Sequence, residues 1–231
     1  MVGALFASSC APCLMGEGPQ KLETRSPGTF TEISLECSAD VLISPSTLEP
    51  MGTIRVKAKE NIVGHIITKV SGDQLKVEME NGCYSETGPM EIQLGAGNYD
   101  GFYNEGSGNM KCSALLNGEK IKIVNSGSGD IQLMLVANEI TIVNEGSGSI
   151  HLEGRTNALT ITNKGSGDVD TYSMQAEEVE AKNQGSGSIQ LVAGKKLDLK
   201  LNGSGNIRYG GNPELLTQVD EGSGNIEHIH D

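Results

Sequence analysis

The sequence predicts an all-β fold of the solenoid class, a single-stranded parallel β-helix with rungs of about 19 residues. Two observations carry this prediction. Gly-Ser-Gly followed by Asp, Asn or Ser recurs seven times, and successive copies start 18 to 21 residues apart. The residues after each copy alternate between apolar and polar, which is the period of a strand with one buried face. The seven copies occupy residues 106–109, 127–130, 146–149, 165–168, 185–188, 203–206 and 222–225.

Aligned on the first glycine, the copies form columns of similar chemistry. The residue four positions after that glycine is always apolar, and a second alternating run precedes most copies, as in Ile121 and Ile123. Each rung is therefore expected to supply two short strands and two corners. One rung buries too little apolar surface to offset the entropy of ordering it, so neighbouring rungs are obligatory. The first inward column is Met110, Ile131, Ile150, Val169, Ile189, Ile207 and Ile226.

The glycines of the motif have a backbone explanation. A corner this tight needs either a positive φ or a close approach between backbones, and glycine permits both. The Asp, Asn or Ser that closes the motif can bond neighbouring backbone groups. Asparagine recurs two residues before the motif, and we expect its stacked amides to bond from rung to rung as a ladder. The ladder residues are Asn104, Asn125, Asn144, Asn163 and Asn183.

The pattern weakens before residue 100. Residues 95–98 match the motif and residues 37–40 are an eroded copy, so the solenoid is expected to begin near residue 28. Residues 60–69 have helix-like apolar spacing, which predicts a short helical insertion that caps the open end of the solenoid.

This combination resembles the head domain called GIN of auto-transporter adhesins, common among secreted lipoproteins of Bacteroidetes. The resemblance covers roughly residues 17–231 and implies a right-handed parallel β-helix outside the cytoplasm, with a role in adhesion. It is carried by Gly-Glu-Gly-Pro at 16–19, Phe30-Thr-Glu-Ile-Ser-Leu-Glu, Lys59-Glu-Asn-Ile-Val, Asp73-Gln-Leu-Lys-Val-Glu and the later Gly-Ser-Gly-Asp/Asn-Ile copies.

The amino-terminal sequence Leu5-Phe-Ala-Ser-Ser-Cys10 has the order of a bacterial lipoprotein processing site. It is too short for a signal peptide and lacks a charged start, so either a fuller signal lies upstream or this is an ordinary buried segment. With the resemblance, the first interpretation is favoured, with Cys10 as the lipid-bearing membrane anchor and the stretch to about residue 20 as a tether. We divide the chain into a signal remnant and tether over 1–16 and a β-helix over 17–231, less regular over 17–94 and regular over 95–231.

The remaining cysteines leave several alternatives open. Cys10-Ala-Pro-Cys13 resembles a C-x-x-C redox or metal motif, but no second pair follows at zinc spacing. Cys112 falls in an inward column and is expected to be a buried thiol. A disulfide between Cys37 and Cys83 is open in an oxidising compartment, although their spacing does not establish it.

Composition limits the partners. The chain has 17 basic and 30 acidic residues and a net charge of −13, which argues against nucleic acid, because that binding needs Lys and Arg to neutralise phosphates. Aromatic platforms are scarce, with three Phe, five Tyr and no Trp. The local cluster of Tyr99, Phe102 and Tyr103 is interpreted as a turn packed on the solenoid, with an interaction patch for a protein or glycan as the alternative.

Neither catalysis nor a metal or cofactor site is predicted. Calcium-binding β-rolls carry Asp consistently, whereas the fourth motif position here is Asp only at Asp130 and Asp168. These two carboxylates lie two rungs apart, roughly 9.6 Å by strand spacing, and no loop-built cleft or aromatic subsite accompanies them as in carbohydrate-active β-helices. His228 and His230 give only two metal ligands, too few for a site.

The favoured function is a non-enzymatic lipoprotein of the cell envelope, periplasmic or on the outer membrane and cell surface, that contributes to adhesion. Two alternatives stay open. A self-assembling envelope scaffold, or homo-oligomer, is suggested because no obvious polar cap follows the last regular rung at Asp231. The other alternative is a carbohydrate-binding or carbohydrate-active β-helix.

Overall fold

The computed structural model describes residues 12–45 and 52–229. In these ranges the chain is all β and contains no α-helix. The strands stack as a β-solenoid of about seven turns with rungs of about 19 residues, which confirms the predicted fold class.

Eighteen strands form the described part of the chain. The first nine are β1 (Leu14–Met15), β2 (Gln20–Arg25), β3 (Glu32–Leu35), β4 (Asp40–Ser44), β5 (Ile54–Lys59), β6 (Ile66–Ser71), β7 (Gln74–Met79), β8 (Tyr84–Ser85) and β9 (Glu91–Gly95). The others are β10 (Gly101–Asn104), β11 (Met110–Asn125), β12 (Ile131–Asn144), β13 (Ile150–Asn163), β14 (Val169–Asn183), β15 (Ile189–Leu201), β16 (Ile207–Gly210), β17 (Leu215–Asp220) and β18 (Ile226–His228).

Strands β11 to β15 each run from one Gly-Ser-Gly corner to the next and pair in parallel with their neighbours. Ile131 pairs with Ile150, as the column alignment predicts. The second corner of each rung does not interrupt the strand. Strands β12 and β13 pair across it without a shift of register, whereas β13 and β14 shift between His151 and Gly154, where Gly154 has a φ of 126°. The two short strands predicted for these rungs are therefore one long, bent strand.

The inward columns form one continuous core. Ile131, Ile150, Val169, Ile189 and Ile207 are fully buried. Burying one such side chain contributes about 1.5–3 kcal/mol. Because each side chain is covered by the rungs on either side, about 4.8 Å away, this stabilisation depends on stacking rather than on any rung alone.

The first rungs do not stack in chain order. Strand β3 lies between β7 and β10, and β4 lies between β9 and β11. Residues 32–44 therefore form a rung inserted between the rung of residues 74–95 and the regular rungs that follow. Alignment along the sequence cannot reveal this order, because it assumes that successive copies are neighbours.

The eroded copy at 37–40 is a genuine corner of the stack. Both Ser107 N–H and Gly108 N–H donate to the Cys37 carbonyl, so residues 106–109 lie directly on it. The prediction of a motif copy at 95–98 is wrong. Gly95 ends strand β9, and Ala96 N–H donates to the Ser44 carbonyl at the end of β4, so residues 96–98 do not stack on a Gly-Ser-Gly corner.

Antiparallel strands close the amino-terminal end of the solenoid, here called the cap and comprising β2, β5, β6 and residues 60–65. Strand β6 pairs with β7, β5 pairs with β9, and β2 pairs with β5, all antiparallel. The helix predicted over 60–69 is reduced to a three-residue 3-10 turn, Val63–His65. The buried β-branched residues Ile62 and Ile66 favour extended structure, and Gly64 disfavours a helix. The insertion still caps the end, as predicted.

The carboxy-terminal end is open in the described residues. Strand β17 pairs only with β15 on one side, and all six of its residues are exposed. Leu215, Leu216 and Val219 are the large apolar side chains exposed on it. The two ends of the solenoid are therefore physically different.

Candidate functional site

The motif glycines are required by close approach between rungs, not by positive φ. None of the motif glycines in the described residues has a positive φ. A Cβ on Gly167 would meet the Gly148 carbonyl well inside 3.0 Å, a separation that real Cβ atoms essentially never cross. Ser166 N–H and Gly167 N–H instead donate to the Gly146 carbonyl at 3.0 and 3.3 Å. Of the two explanations left open by the sequence, close approach holds.

The first corner, at residues 37–40, accommodates side chains in place of the motif glycines because no corner of another rung packs beneath it. Cys37 and Ala39 occupy the glycine positions there, and both are buried. In the rung below, residues 74–95, the chain leaves the stack after β7 and passes through β8 before β9. No tight corner of that rung therefore contacts Cys37 or Ala39.

The fourth residue of the motif forms a ladder of hydrogen bonds along the solenoid. The Asp130 Oδ1 accepts from Ser149 N–H at 2.8 Å, and the Asp168 Oδ1 accepts from Ser188 N–H at 2.7 Å. Between them, Ser149 Oγ accepts from Asp168 N–H at 3.3 Å. The same step repeats from Asp40 through Asn109 to Asp130, and from Ser188 through Asn206 to Asn225. Any short side chain whose oxygen can accept from the backbone N–H of the next rung fits this position, which explains why Asp, Asn and Ser all occur there.

The asparagine column has a different geometry from the predicted one. In Asn163, Oδ1 accepts from Gly165 N–H at 3.2 Å and Nδ2 donates to the Gly167 carbonyl at 3.1 Å. The amide therefore fastens the corner that follows it in the chain rather than bonding to the next amide. Asn144 departs, because its Nδ2 donates to Gly167 on the next rung at 3.0 Å. All five side chains, Asn104, Asn125, Asn144, Asn163 and Asn183, are fully buried.

A polar groove of about 790 Å³ runs along the outside of the corners. One wall carries the middle serine of six of the seven motifs, exposed to solvent, and the other carries the residue before the first glycine. In that second column Lys164 Nζ donates to Glu145 Oε1 of the neighbouring rung at 2.7 Å. The middle serines that line the groove are Ser128, Ser147, Ser166, Ser186, Ser204 and Ser223. We call this surface the corner groove.

The predicted aromatic cluster lies mainly inside the protein. Tyr99 and Phe102 are buried, with their ring centroids 5.8 Å apart, and Phe30 stacks on Tyr99 at 6.1 Å. The Tyr99 hydroxyl donates to the Gly95 carbonyl at 2.6 Å, and burial raises the pKa of Tyr99 to about 12. Of the three predicted residues only Tyr103 reaches solvent, with Lys122 Nζ 5.9 Å from its ring centroid. The three residues therefore do not form an exposed patch.

A disulfide joins Cys13 to Cys83, 70 residues apart in sequence. This corrects both the proposed Cys37–Cys83 pairing and the C-x-x-C interpretation, because Cys13 is already bonded. Cys37 and Cys112 are free thiols, the first buried and the second partly buried, and burial raises the pKa of both. Spacing alone could not identify the pair, since it depends on strand β1 pairing with β8. Cys10 lies outside the described residues.

The other sequence-predicted chemical groups have structural roles. Asp130 and Asp168 are both part of the ladder described above. His228 stacks on Tyr209 at 4.7 Å, and its Nε2 lies 2.8 Å from the Gly211 carbonyl. His230 lies outside the described residues. Over residues 12–45 and 52–229, no group of three or more His, Cys, Asp or Glu side chains is placed to hold a metal ion.

Comparison with known proteins identifies the family. Residues 29–213 match the family described as "Putative auto-transporter adhesin, head GIN domain". The chain belongs to this family. The matched range runs from just before β3 to just before β17, so the GIN domain match includes most of the cap and the regular rungs but neither β1 and β2 nor β17 and β18.

Solved structures share the fold of this GIN domain. A "putative adhesin" from Bacteroides fragilis is 22% identical with a TM-score of 0.89, covering 94% of this chain and 100% of that one. A "putative adhesin" from Parabacteroides merdae is 20% identical with a TM-score of 0.79, covering 95% and 100%. A "Putative lipid binding protein" from Parabacteroides distasonis is 22% identical with a TM-score of 0.76, also covering 95% and 100%. At these identities the likeness establishes the fold alone. A search of curated proteins gives no match.

Membership of an adhesin family makes this GIN domain a protein of the cell surface or envelope. In the part of the chain that the structure describes, no helix is long and apolar enough to cross a membrane.

Proposed function

We propose that this chain is a non-enzymatic, lipid-anchored module of the cell envelope that makes adhesive contacts through its corner groove. The match to the adhesin family over residues 29–213 is the observation that carries the adhesive role. The Cys13–Cys83 disulfide supports a location outside the cytoplasm, because such bonds persist in oxidising compartments.

The corner groove supports an extended contact. Its serine hydroxyls recur at every rung, about 4.8 Å apart, beside acidic, basic and amide side chains in the second wall. A chain of sugars or an extended peptide lying along the solenoid could exchange hydrogen bonds with several rungs at once. Each such bond contributes only about 0.5–1.5 kcal/mol, so a useful affinity needs several rungs together.

Binding to a glycan array and to immobilised matrix proteins tests this surface. The variant Ser147→Arg/Ser166→Arg places two long side chains in the groove and is expected to abolish binding. Thr141→Arg/Thr160→Arg is the matched control, since both threonines are exposed on strands β12 and β13 away from the groove. Equal binding by both double variants would contradict the proposal. Binding of the wild type to glycan spots but not to matrix proteins would support the carbohydrate-binding alternative.

The lipid anchor is tested separately by cell fractionation with a labelled fatty acid. We expect Cys10→Ala to lose both the label and association with the membrane fraction. Cys112→Ala is the control, because Cys112 is a free thiol within the solenoid and should leave both unchanged. Retention of label and membrane association by Cys10→Ala would contradict the anchor.

Self-assembly is a second candidate, favoured by the open carboxy-terminal edge. Over the residues that the structure describes, strand β17 presents an unpaired edge with Leu215, Leu216 and Val219 exposed, and such edges pair readily with other strands. Light scattering over a concentration series should then show association that Leu215→Lys/Val219→Lys removes. A monomer at every concentration would reject the scaffold.

A further inference from the structure

The segment that follows Cys10 is held to the cap from its third residue onward. Cys13 is bonded to Cys83, Leu14 N–H donates to the Cys83 carbonyl at 2.8 Å, and β1 pairs in parallel with β8. The tether expected to reach about residue 20 is therefore not a free linker over residues 13–20. Covalent and strand contacts fix its direction.

Side chains of the cap hold the same segment from the other side. Asn61 Nδ2 donates to the Met15 carbonyl at 2.7 Å, and Asn61 Oδ1 accepts from Glu17 N–H at 2.7 Å. Lys59 Nζ donates to the Gly18 carbonyl at 3.0 Å. Strand β2 then begins at Gln20 and forms the outermost strand beyond β5. The run from Cys13 to Pro19 is thus fixed against the cap, and Gln20–Arg25 enters it as β2.

The attachment point lies against the cap and not on the flank of the regular rungs. Tyr84 of β8 packs on His65 of the 3-10 turn, with ring centroids 5.6 Å apart. His65 also lies 2.8 Å from Glu80 Oε2, and Glu80 N–H donates to the His65 carbonyl. The loop that carries Cys83 is therefore held beside the insertion that closes the end.

These contacts limit the distance between an anchor on Cys10 and the cap. Cys13 is the third residue after Cys10, and three residue steps span at most about 11 Å of extended chain. A flexible tether of about ten residues, from Cys10 to residue 20, would reach roughly 17 Å on average and would leave the domain free to turn. The net charge of −13 also gives the flank of the solenoid no attraction to anionic lipid headgroups.

We propose that the cap faces a lipid bilayer at close range, so that the solenoid stands away from it with the β17 edge farthest out. The corner groove then runs outward from the membrane. This orientation rests on the proposed lipid anchor at Cys10 and adds to it a fixed, short stem. The path β2–β5–β9–β4–β11–β12–β13–β14–β15–β17 crosses nine strand spacings, so its two ends are about 43 Å apart.

Energy transfer from tryptophan measures this orientation, because the chain contains no tryptophan of its own. The matched variants are Leu22→Trp on β2 and Leu215→Trp on β17, both at exposed leucines, 51% and 66% accessible. The full-length lipidated protein is reconstituted in vesicles of phosphatidylethanolamine and phosphatidylglycerol that contain a dansyl-labelled headgroup. We expect clear transfer from Leu22→Trp and background transfer from Leu215→Trp.

A third variant tests the short stem itself. A Gly/Ser insertion of about 12 residues between Ala11 and Pro12 lengthens the stem by roughly 19 Å, and transfer from Leu22→Trp should then be largely lost. Equal transfer from both tryptophans, or transfer unchanged by the insertion, in protein that carries lipid and pellets with the vesicles would overturn the orientation. Absence of lipid label and of vesicle binding would instead overturn the anchor.

Discussion

From Gly101 to His228 the chain repeats one parallel unit, whereas residues 13–95 combine antiparallel strands, a 3-10 turn and a disulfide. The regular rungs are held mainly by contacts that every rung makes with the next. The cap is held by contacts that occur once, such as the Arg25 Nη2 donation to the Val63 carbonyl at 2.8 Å. Damage to the two regions should therefore spread differently.

The stability of the regular rungs depends on the close approach of the corner backbones of neighbouring rungs. A single added methyl group at a corner affects two rungs at once, because each corner lies on the one before it. In the cap, individual side chains and the Cys13–Cys83 bond set the arrangement. The following predictions separate these two kinds of dependence, beginning with the change expected to have the largest effect.

Gly167→Ala should destabilise the regular rungs most severely. Its Cβ would collide with the Gly148 carbonyl, which is backbone and cannot turn aside. We expect a loss of about 4 kcal/mol or more in the free energy of unfolding, or failure to fold. Denaturant unfolding followed by circular dichroism measures it.

Gly194→Ala is the control for that change. Gly194 is exposed, and a Cβ there meets nothing closer than 3.5 Å. Its effect should stay within about 0.5 kcal/mol. If Gly167→Ala were equally mild, close approach would not be the reason for the motif glycines.

Loss of the Cys13–Cys83 disulfide should be the largest single effect in the cap. The bond closes a separation of 70 residues, for which chain entropy gives about 4 kcal/mol of stabilisation. Cys13→Ser/Cys83→Ser should therefore unfold at lower denaturant concentration than the wild type. Reduction should shift the wild type by a similar amount and leave the double variant unchanged; a shift of both alike would assign the effect to another group.

Asn163→Ala tests the fastening of one corner. It removes an amide that accepts from Gly165 N–H and donates to the Gly167 carbonyl. Both backbone groups keep one partner, because Gly165 N–H also donates to the Asn144 carbonyl and the Gly167 carbonyl also accepts from Asn144 Nδ2. The loss therefore comes from two hydrogen bonds and a small cavity, and we expect about 2–3 kcal/mol. Asn157→Ala, at an exposed asparagine of the same strand, should cost less than about 0.5 kcal/mol. Similar losses for the two would show that the amide is not a specific fastening.

The sequence predicted the regular rungs well because repetition makes each column visible many times. The alternation of apolar and polar residues identified Ile131 and Ile150 as buried. The hydrogen-bond ladder of the fourth motif residue could also be predicted, since every residue from Asn109 to Asn225 in that column carries a side-chain oxygen. The sequence did not show the direction of each hydrogen bond in this ladder.

The cap resisted prediction because its contacts occur once and join distant segments. Insertion of residues 32–44 between later strands leaves no periodic trace, and the bond between Cys13 and Cys83 depends on the pairing of β1 with β8. The apolar spacing over 60–69 predicted a helix, but the segment forms a 3-10 turn and the start of strand β6, with Ile62 and Ile66 buried. Tyr99 and Phe102 likewise belong to the core where the cap meets the first regular rung.

The smallest expected effect concerns Tyr99 at this junction and depends on pH. Burial holds the pKa of Tyr99 at about 12 in the folded protein, against an ordinary value of 10.0. Above pH 10 the unfolded chain loses this proton while the folded chain keeps it, so stability must fall as pH rises. The loss develops between pH 10 and 12 and amounts to about 2 kcal/mol.

Tyr99→Phe isolates that contribution. The variant gives up the hydroxyl donation to Gly95, which costs about 1 kcal/mol at neutral pH, but it has no proton to lose. Its stability should therefore decline less steeply than that of the wild type between pH 10 and 12, so that the difference between the two shrinks or reverses. Parallel declines would mean that the junction opens before Tyr99 ionises, and that the cap and the regular rungs separate more easily than their shared core indicates.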